Sequence, residues 1–169
     1  MKRREFLSVP VALAAGFAFA DPPKVQSLDD SLRWLDTLDK AAHAGTTGAW
    51  PLSAVLEHLS QSIEMSMDGY PETKSAVFQS TLGSAALVLF KLRGRMSHGL
   101  DEPIPGAPAL TGSADWKPAA LQLRRAIVRF KGYSGALKPH FAYGGLSRPD
   151  FALAHSWHIA NHQDDIDVG

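Results

Sequence analysis

Apolar residues recur at intervals of three and four along most of this 169-residue chain, which is the period of helices that bury one face. Ser27 followed by Asp30 reads as a helix start, and Leu28, Leu32, Leu35 and Leu38 mark its inner side, with the helix fading at Gly45 within HAGTTGAW. Pro51 opens a second helix carrying Leu52, Val55, Leu56, Leu59 and Ile63 on one side, and DGYPE at 68–72 is the turn that follows. A third, longer helix is predicted from about Thr73 to Met96, with Phe78, Leu82, Ala85, Leu89 and Leu92 as its inward stripe. Residues 99–115, GLDEPIPGAPALTGSAD, hold three prolines and three glycines and read as a long crossover. The fourth helix begins near Asp115, with Trp116, Ala120, Leu123, Ile127 and Phe130 facing inward. A second long connection, YSGALKPHFAYGGLS, spans 133–147, and Ser147 with Asp150 then caps the last helix around Pro149. No stretch alternates with strand period for long enough to build a sheet. The expected fold is all-α, a helical bundle whose long connections free it from simple up-and-down order.

Residues 1–20, MKRREFLSVPVALAAGFAFA, form a separate object. A basic start, an apolar run from Phe6 to Phe19, and Ala18-Phe19-Ala20 before Asp21 match a secretory signal. The run is too short and too rich in Ala and Gly for a membrane span. Arg3-Arg4 followed by Phe6-Leu7 resembles a twin-arginine leader, which exports proteins already folded; an ordinary signal with two chance arginines is the plainer alternative. The expected division is a signal peptide at 1–20 and a helical domain at 21–169, exported to the periplasm or beyond, with no stable membrane anchor after cleavage.

Composition narrows the chemistry further. The charges balance, 17 basic against 17 acidic, with no basic patch for nucleic acid. Cysteine is absent, so disulfides, thiolate metal sites, a cysteine nucleophile and a lipid-anchored cysteine are excluded. Any metal must be held by His, Asp, Glu or neutral oxygen. Serines are plentiful, but no G-x-S-x-G lies on a strand-turn-helix, so an acyl-transfer triad is set aside. GGLS at 144–147 is a helix start rather than a phosphate loop.

Three of the seven histidines crowd into AHSWHIANHQDDI, residues 154–166. Phe151, His155, His158, His162 and Ile166 occupy the slots that an inward apolar stripe would take. Each buried neutral imidazole brings a donor and an acceptor that need partners. A His-x-x-x-His pair sets two rings about 5–6 Å apart at Cβ on adjacent turns, close enough for one ion. The same spacing also occurs on solvated helix ends, where partly charged His favours the negative end of the dipole. His58, at the flank of the second helix's apolar stripe between Val55 and Ser62, is either a third ligand or a boundary residue. His43 and His98 have no constellation around them and read as surface residues.

WPLSAVLEHLSQSIEMSMDGYP, and then HFAYGGLSRPDFALAHSWHIANHQDDI far downstream, resemble the DinB-like (YfiT-like) superfamily of metalloenzymes, nearest to a branch known only as a domain of unknown function. The likeness spans the mature chain. It implies a four-helix-bundle core with long crossovers and an additional helix. It also implies a metal held by three histidines, which fall on His58, His158 and His162. His155 then precedes the pair by one turn, and Glu57, Ser62, His140 and Asp165 are candidates for the surrounding shell or pocket. Members often carry Gln three residues after the final histidine, where this chain has Asp165, an acid able to hydrogen-bond a ligand imidazole or to face solvent.

Three neutral nitrogens leave a coordination position open, and the ion acts as a Lewis acid there. Zinc suits nitrogen ligands best; nickel, iron or copper are alternatives. The resemblance implies a thiol-dependent transferase or a hydrolase acting on a small molecule or thiol. His140, Phe141, Tyr143, Tyr70 and Trp50 are expected near the entrance. The other reading is a non-catalytic exported bundle that binds metal or a small ligand. A homodimer stays open in either case.

Overall fold

The computed structural model describes residues 24–169; the leader predicted at 1–20 lies outside them. The helices are α1 (Leu28–Lys40), α2 (Leu52–Asp68), α3 (Ala76–Phe78), α4 (Ser84–Arg93), α5 (Lys117–Gly132) and α6 (Arg148–His162). A π-helical segment, Gln79–Gly83, joins α3 to α4, so these two form one continuous rod. The architecture is the expected all-α bundle.

One core holds it together. Leu35, Leu38, Leu56, Leu59, Ile63, Leu123, Ile127, Phe130, Phe151 and Ile159 are almost fully buried and come from α1, α2, α5 and α6. These four helices are the bundle, and α2 packs most extensively on α5. The apolar stripes read for α1, α2 and α5 are the buried ones. Ser27 Oγ accepts from the Asp30 amide at 3.1 Å, and Ser147 Oγ accepts from the Asp150 amide at 3.3 Å, so both predicted caps form.

The third helix departs from its predicted face. Leu82, Leu89 and Leu92 are exposed, with Leu92 at 81%, and Gly83 and Leu87 are buried instead. The cause is the π segment, which inserts one residue into the turn and rotates everything after it. The inward line therefore steps from Phe78 by five to Gly83 and by four to Leu87. Gly83 is needed there because a Cβ would collide with the carbonyl oxygen of Ala142. Backbone therefore meets backbone where the rod touches the 133–147 connection. The Gln79 side chain adds to this, donating to Lys74 O and Phe141 O at 3.2 Å each. The rod is the additional helix, outside the four-helix core.

Two smaller corrections concern the ends. Ala44–Thr46 and Ile166–Val168 pair as a three-residue antiparallel ribbon, Gly45 opposite Asp167, although no strand was expected. The last helix stops at His162 and continues as a 3-10 turn, Gln163–Asp165, so Ile166 packs on the core from the ribbon and not from a helical stripe. The ribbon is too short to be read from periodicity. It fastens the chain end beside the start of α2.

Leu123, on the buried side of α5, tests which faces make the core. Leu123→Ala is expected to lower unfolding free energy by about 2–5 kcal/mol in urea melts, whereas Leu92→Ala on the outer rod should change it by less than about 0.5 kcal/mol. Equal costs would contradict this assignment.

Candidate metal centre

His58 enters from α2 and His158 and His162 from α6. Leu52–Asp68 is helical without a side-chain cap, and its apolar stripe turns His58 inward to 3% exposure. On α6 the inward positions carry imidazoles where aliphatic side chains would ordinarily stand. His162 is 1% exposed, and His158 is half-buried because one edge faces a cavity. One nitrogen from each of the three lies within 4.8 Å of the others, the arrangement of a metal-ligating group. His58 Nε2 and His158 Nε2 are 3.1 Å apart. Two nitrogens on one tetrahedral zinc ion at 2.0–2.1 Å stand about 3.3 Å apart, so the spacing fits.

Hydrogen bonding points the same way. His162 Nδ1 and Nε2, together with His58 Nδ1, are buried and have no partner among the described residues. A buried polar atom left alone costs about 1–3 kcal/mol; a shared cation would take up one of the two on His162, whereas His58 Nδ1 lies on the side of its ring away from His158. His158 Nδ1 lies 3.3 Å from Ser62 Oγ. Donation to that hydroxyl leaves Nε2 bare toward the other two rings, the usual way a neighbour sets a ligand's tautomer.

The flanking histidines are fixed by contacts of their own. Ser66 Oγ donates to Ile63 O at 2.6 Å and sits 3.2 Å from His155 Nε2, so it accepts from that nitrogen. His155 is thereby tied to α2, between the Phe130 and Phe151 rings at 5.0 and 5.6 Å, and bonds none of the three clustered histidines. His140 Nδ1 accepts the amides of Ala142 and Tyr143, and its ring stacks on Tyr143 at 4.4 Å. It stands at the cavity wall and does not join the cluster.

Burial holds all five rings neutral. Desolvation lowers His58 to about 4, and His140, His155 and His162 to about 3; it also pushes His158 well below the usual imidazole range, with neighbouring imidazoles adding a smaller push in the same direction to each but His140. The lone pairs are therefore free of protons at neutral pH.

A cavity of about 210 Å³ opens beside the cluster. Its far wall comes from the crossover, through Met96, His98, Glu102 and Ile104, and its near wall from Phe141, Tyr143 and Lys74. Tyr70 supports that wall from behind, its hydroxyl donating to Ser62 O at 3.1 Å and its ring against His140. Trp50 meets the His58 ring edge-on at 5.2 Å.

Two expected shell residues lie elsewhere. The Glu57 carboxylate accepts the amide (2.7 Å) and hydroxyl of Thr111, pinning the crossover to α2 outside the cavity lining. The Asp165 carboxylate lies against Gly48, where a Cβ would collide with it. It bonds neither nitrogen of His162, because the helix ends first and the 3-10 turn carries it round to the loop before α2.

Sequence spacing places His98 alone at the surface. It is exposed, yet its ring is 4.8 Å from that of His158 and 5.6 Å from that of His162. Sequence spacing holds no sign of this, because the crossover delivers it from a distant, irregular segment.

Histidines kept neutral in the fold but free to protonate when unfolded weaken the fold in acid. Their folded values lie below the unfolded one of about 6.5, so stability is complete above that pH and is lost as pH falls toward the folded values. Chelator-treated protein is therefore expected to lose stability steadily from about pH 6.5 to about pH 4 in urea melts, with His155→Gln showing a shallower slope. A flat profile would contradict neutral burial.

A family model described as "Protein of unknown function (DUF1569)" matches residues 23–167. Neither a curated protein nor a solved structure matches the chain. Because that match runs through every element of the bundle and all three clustered histidines, the chain belongs to the DUF1569 family.

Proposed function

We propose that this protein is a metal-dependent enzyme of the DinB-like type, a thiol-dependent transferase or a hydrolase, with His58, His158 and His162 as ligands of a divalent ion. The observation that carries the reading is the meeting of three buried imidazole nitrogens from two helices within 4.8 Å of one another, at the wall of a cavity. An all-nitrogen set of neutral imidazoles favours zinc, with nickel, iron or copper as alternatives. When bound, the ion would supply Lewis-acid activation of a thiol or of water at its open position.

The chain's own residues do the rest. Ser62 holds the His158 ring, and Ser66 holds His155. Met96, Ile104, Phe141 and Tyr143 give the cavity an apolar lining that excludes water and suits a small, largely apolar substrate. Lys74 and Glu102 supply its opposite charges. Lys74 would attract a substrate carboxylate, and Glu102 a substrate ammonium. A twin-arginine leader at 1–20 would fit an exported protein that acquires its metal before crossing the membrane.

Protein purified without an affinity tag is expected to carry about one divalent ion per chain, measured by plasma emission. His58→Ala, His158→Ala and His162→Ala should each lose it, and Asp165→Asn should keep it. A His58→Ala variant with full metal content rules out this ligand set.

Catalysis is tested separately. Thiol transfer to an electrophile, or ester hydrolysis, should vanish with a chelator and return with zinc, and Phe141→Ala should raise KM more than it lowers kcat. Full metal loading with no turnover on either substrate class would favour the non-catalytic binding bundle.

A further inference from the structure

We propose that His98, on the crossover between α4 and α5, is a fourth nitrogen donor of the same centre, closing the ion's open position until a ligand displaces it. The proposal rests on the three-histidine reading above and extends it to a residue in an irregular segment.

Ring spacing is the first argument. Four imidazoles around one tetrahedral zinc ion stand about 5.2 Å apart, centroid to centroid, given nitrogen at 2.0–2.1 Å. Within the cluster the separations are 4.9 Å (His58 to His158), 5.2 Å (His58 to His162) and 5.0 Å (His158 to His162). The separations of 4.8 Å and 5.6 Å from His98 to His158 and His162 bracket those values, although the nitrogens that lie mutually within 4.8 Å are those of the other three rings. His98 is thus as near to His158 as His58 is, and farther from His162, at 5.6 Å against 5.2 Å.

Tautomer is the second. His98 Nδ1 lies 2.6 Å from Gly99 O. A carbonyl only accepts, so Nδ1 carries the proton and Nε2 keeps its lone pair. This is the state a metal ligand needs, with the other ring nitrogen oriented by a backbone acceptor.

Anchorage is the third. Asn161, 8% exposed on α6 between His158 and His162, donates from Nδ2 to His98 O at 3.3 Å. The helix bearing two of the ligands therefore also holds the backbone of the fourth ring. His98 alone of the four is exposed and outside a helix, flanked by Gly94 in the left-handed conformation and by Gly99. It is the donor that can leave at least cost. A closed set of four nitrogens would protect the resting ion, and displacement of His98 would open one position to substrate.

Cobalt(II) replaces zinc in such sites and reports coordination through its visible spectrum. Untagged protein is titrated with cobalt as parent, His98→Ala, His58→Ala and His43→Ala, with melting curves to confirm folding. His98→Ala is expected to bind cobalt about tenfold or more weakly, with an altered spectrum that free imidazole returns toward the parent's. His43→Ala should match the parent. If His98→Ala keeps the parent's affinity and spectrum while His58→Ala loses both, His98 is not a ligand and the three-histidine centre stands. If the parent binds no cobalt, or His58→Ala binds it normally, the centre itself fails and this proposal with it.

Discussion

The constraint on which the site depends is the burial of neutral imidazoles where α2 packs against α6. His58, His155 and His162 are each 3% exposed or less, in a seam that aliphatic side chains would fill more cheaply. Every buried ring nitrogen without a partner costs stability, and His162 has two. A fold retains such positions only if its remaining core tolerates the cost or a ligand offsets it. Here the apolar core of α1, α2 and α5 is continuous and nearly free of exposed atoms, so it carries the bundle. The histidine seam is left to satisfy a different requirement.

That seam is ordered by a simple pairing. Ser62 and Ser66 lie four apart on α2, and His158 and His155 lie three apart on α6; they meet as Ser62 with His158 and Ser66 with His155. The helices run in opposite directions there, so the two ladders match turn for turn. The outcomes differ because of the next contact. Ser66 spends its proton on Ile63 O and clamps His155 between two phenylalanines, which leaves that ring structural. Ser62 meets His158 where Nε2 looks toward His58. Adjacent turns of one helix therefore hold one ring committed to packing and one committed to the cluster.

Helices with one buried face were legible in the sequence, because periodicity and capping act over a few residues. Ser27 and Ser147 both cap as read, and the α5 stripe from Ala120 to Phe130 is the buried one. The histidine cluster was legible for the same reason on α6, while His58 needed the family resemblance to choose between two readings that helix geometry left equal. What escaped the sequence depends on irregular backbone. The π segment ahead of Ser84 turns Leu89 and Leu92 outward, and no hydrophobic count registers one extra residue in a turn. Asp165 follows the cluster at helical spacing, but a 3-10 turn has already left the helix. His98 sits in a stretch without period, and only tertiary contact brings it to α6.

These failures share a cause that bears on how the site works. The three clustered histidines lie on two helices packed against the main core, so their positions are as stiff as that core. Apart from Lys74, the cavity wall opposite the helices, from Met96 through Pro105 and from His140 through Tyr143, comes from the two long connections. Those connections are pinned to the helices at several points: Glu57 accepts from Thr111, Ser53 donates to Ser113 O, Gln61 to Pro108 O, Asn161 to His98 O and Gln79 to Phe141 O, and Gly83 rests on Ala142. The clustered nitrogens are thus set by helices, while the cavity beside them is walled largely by irregular backbone fastened to those helices. The prolines of the crossover keep that wall irregular and limit its conformational freedom. In the proposed centre, selectivity would belong to the connections that wall the cavity, while the helices bring the three nitrogens together.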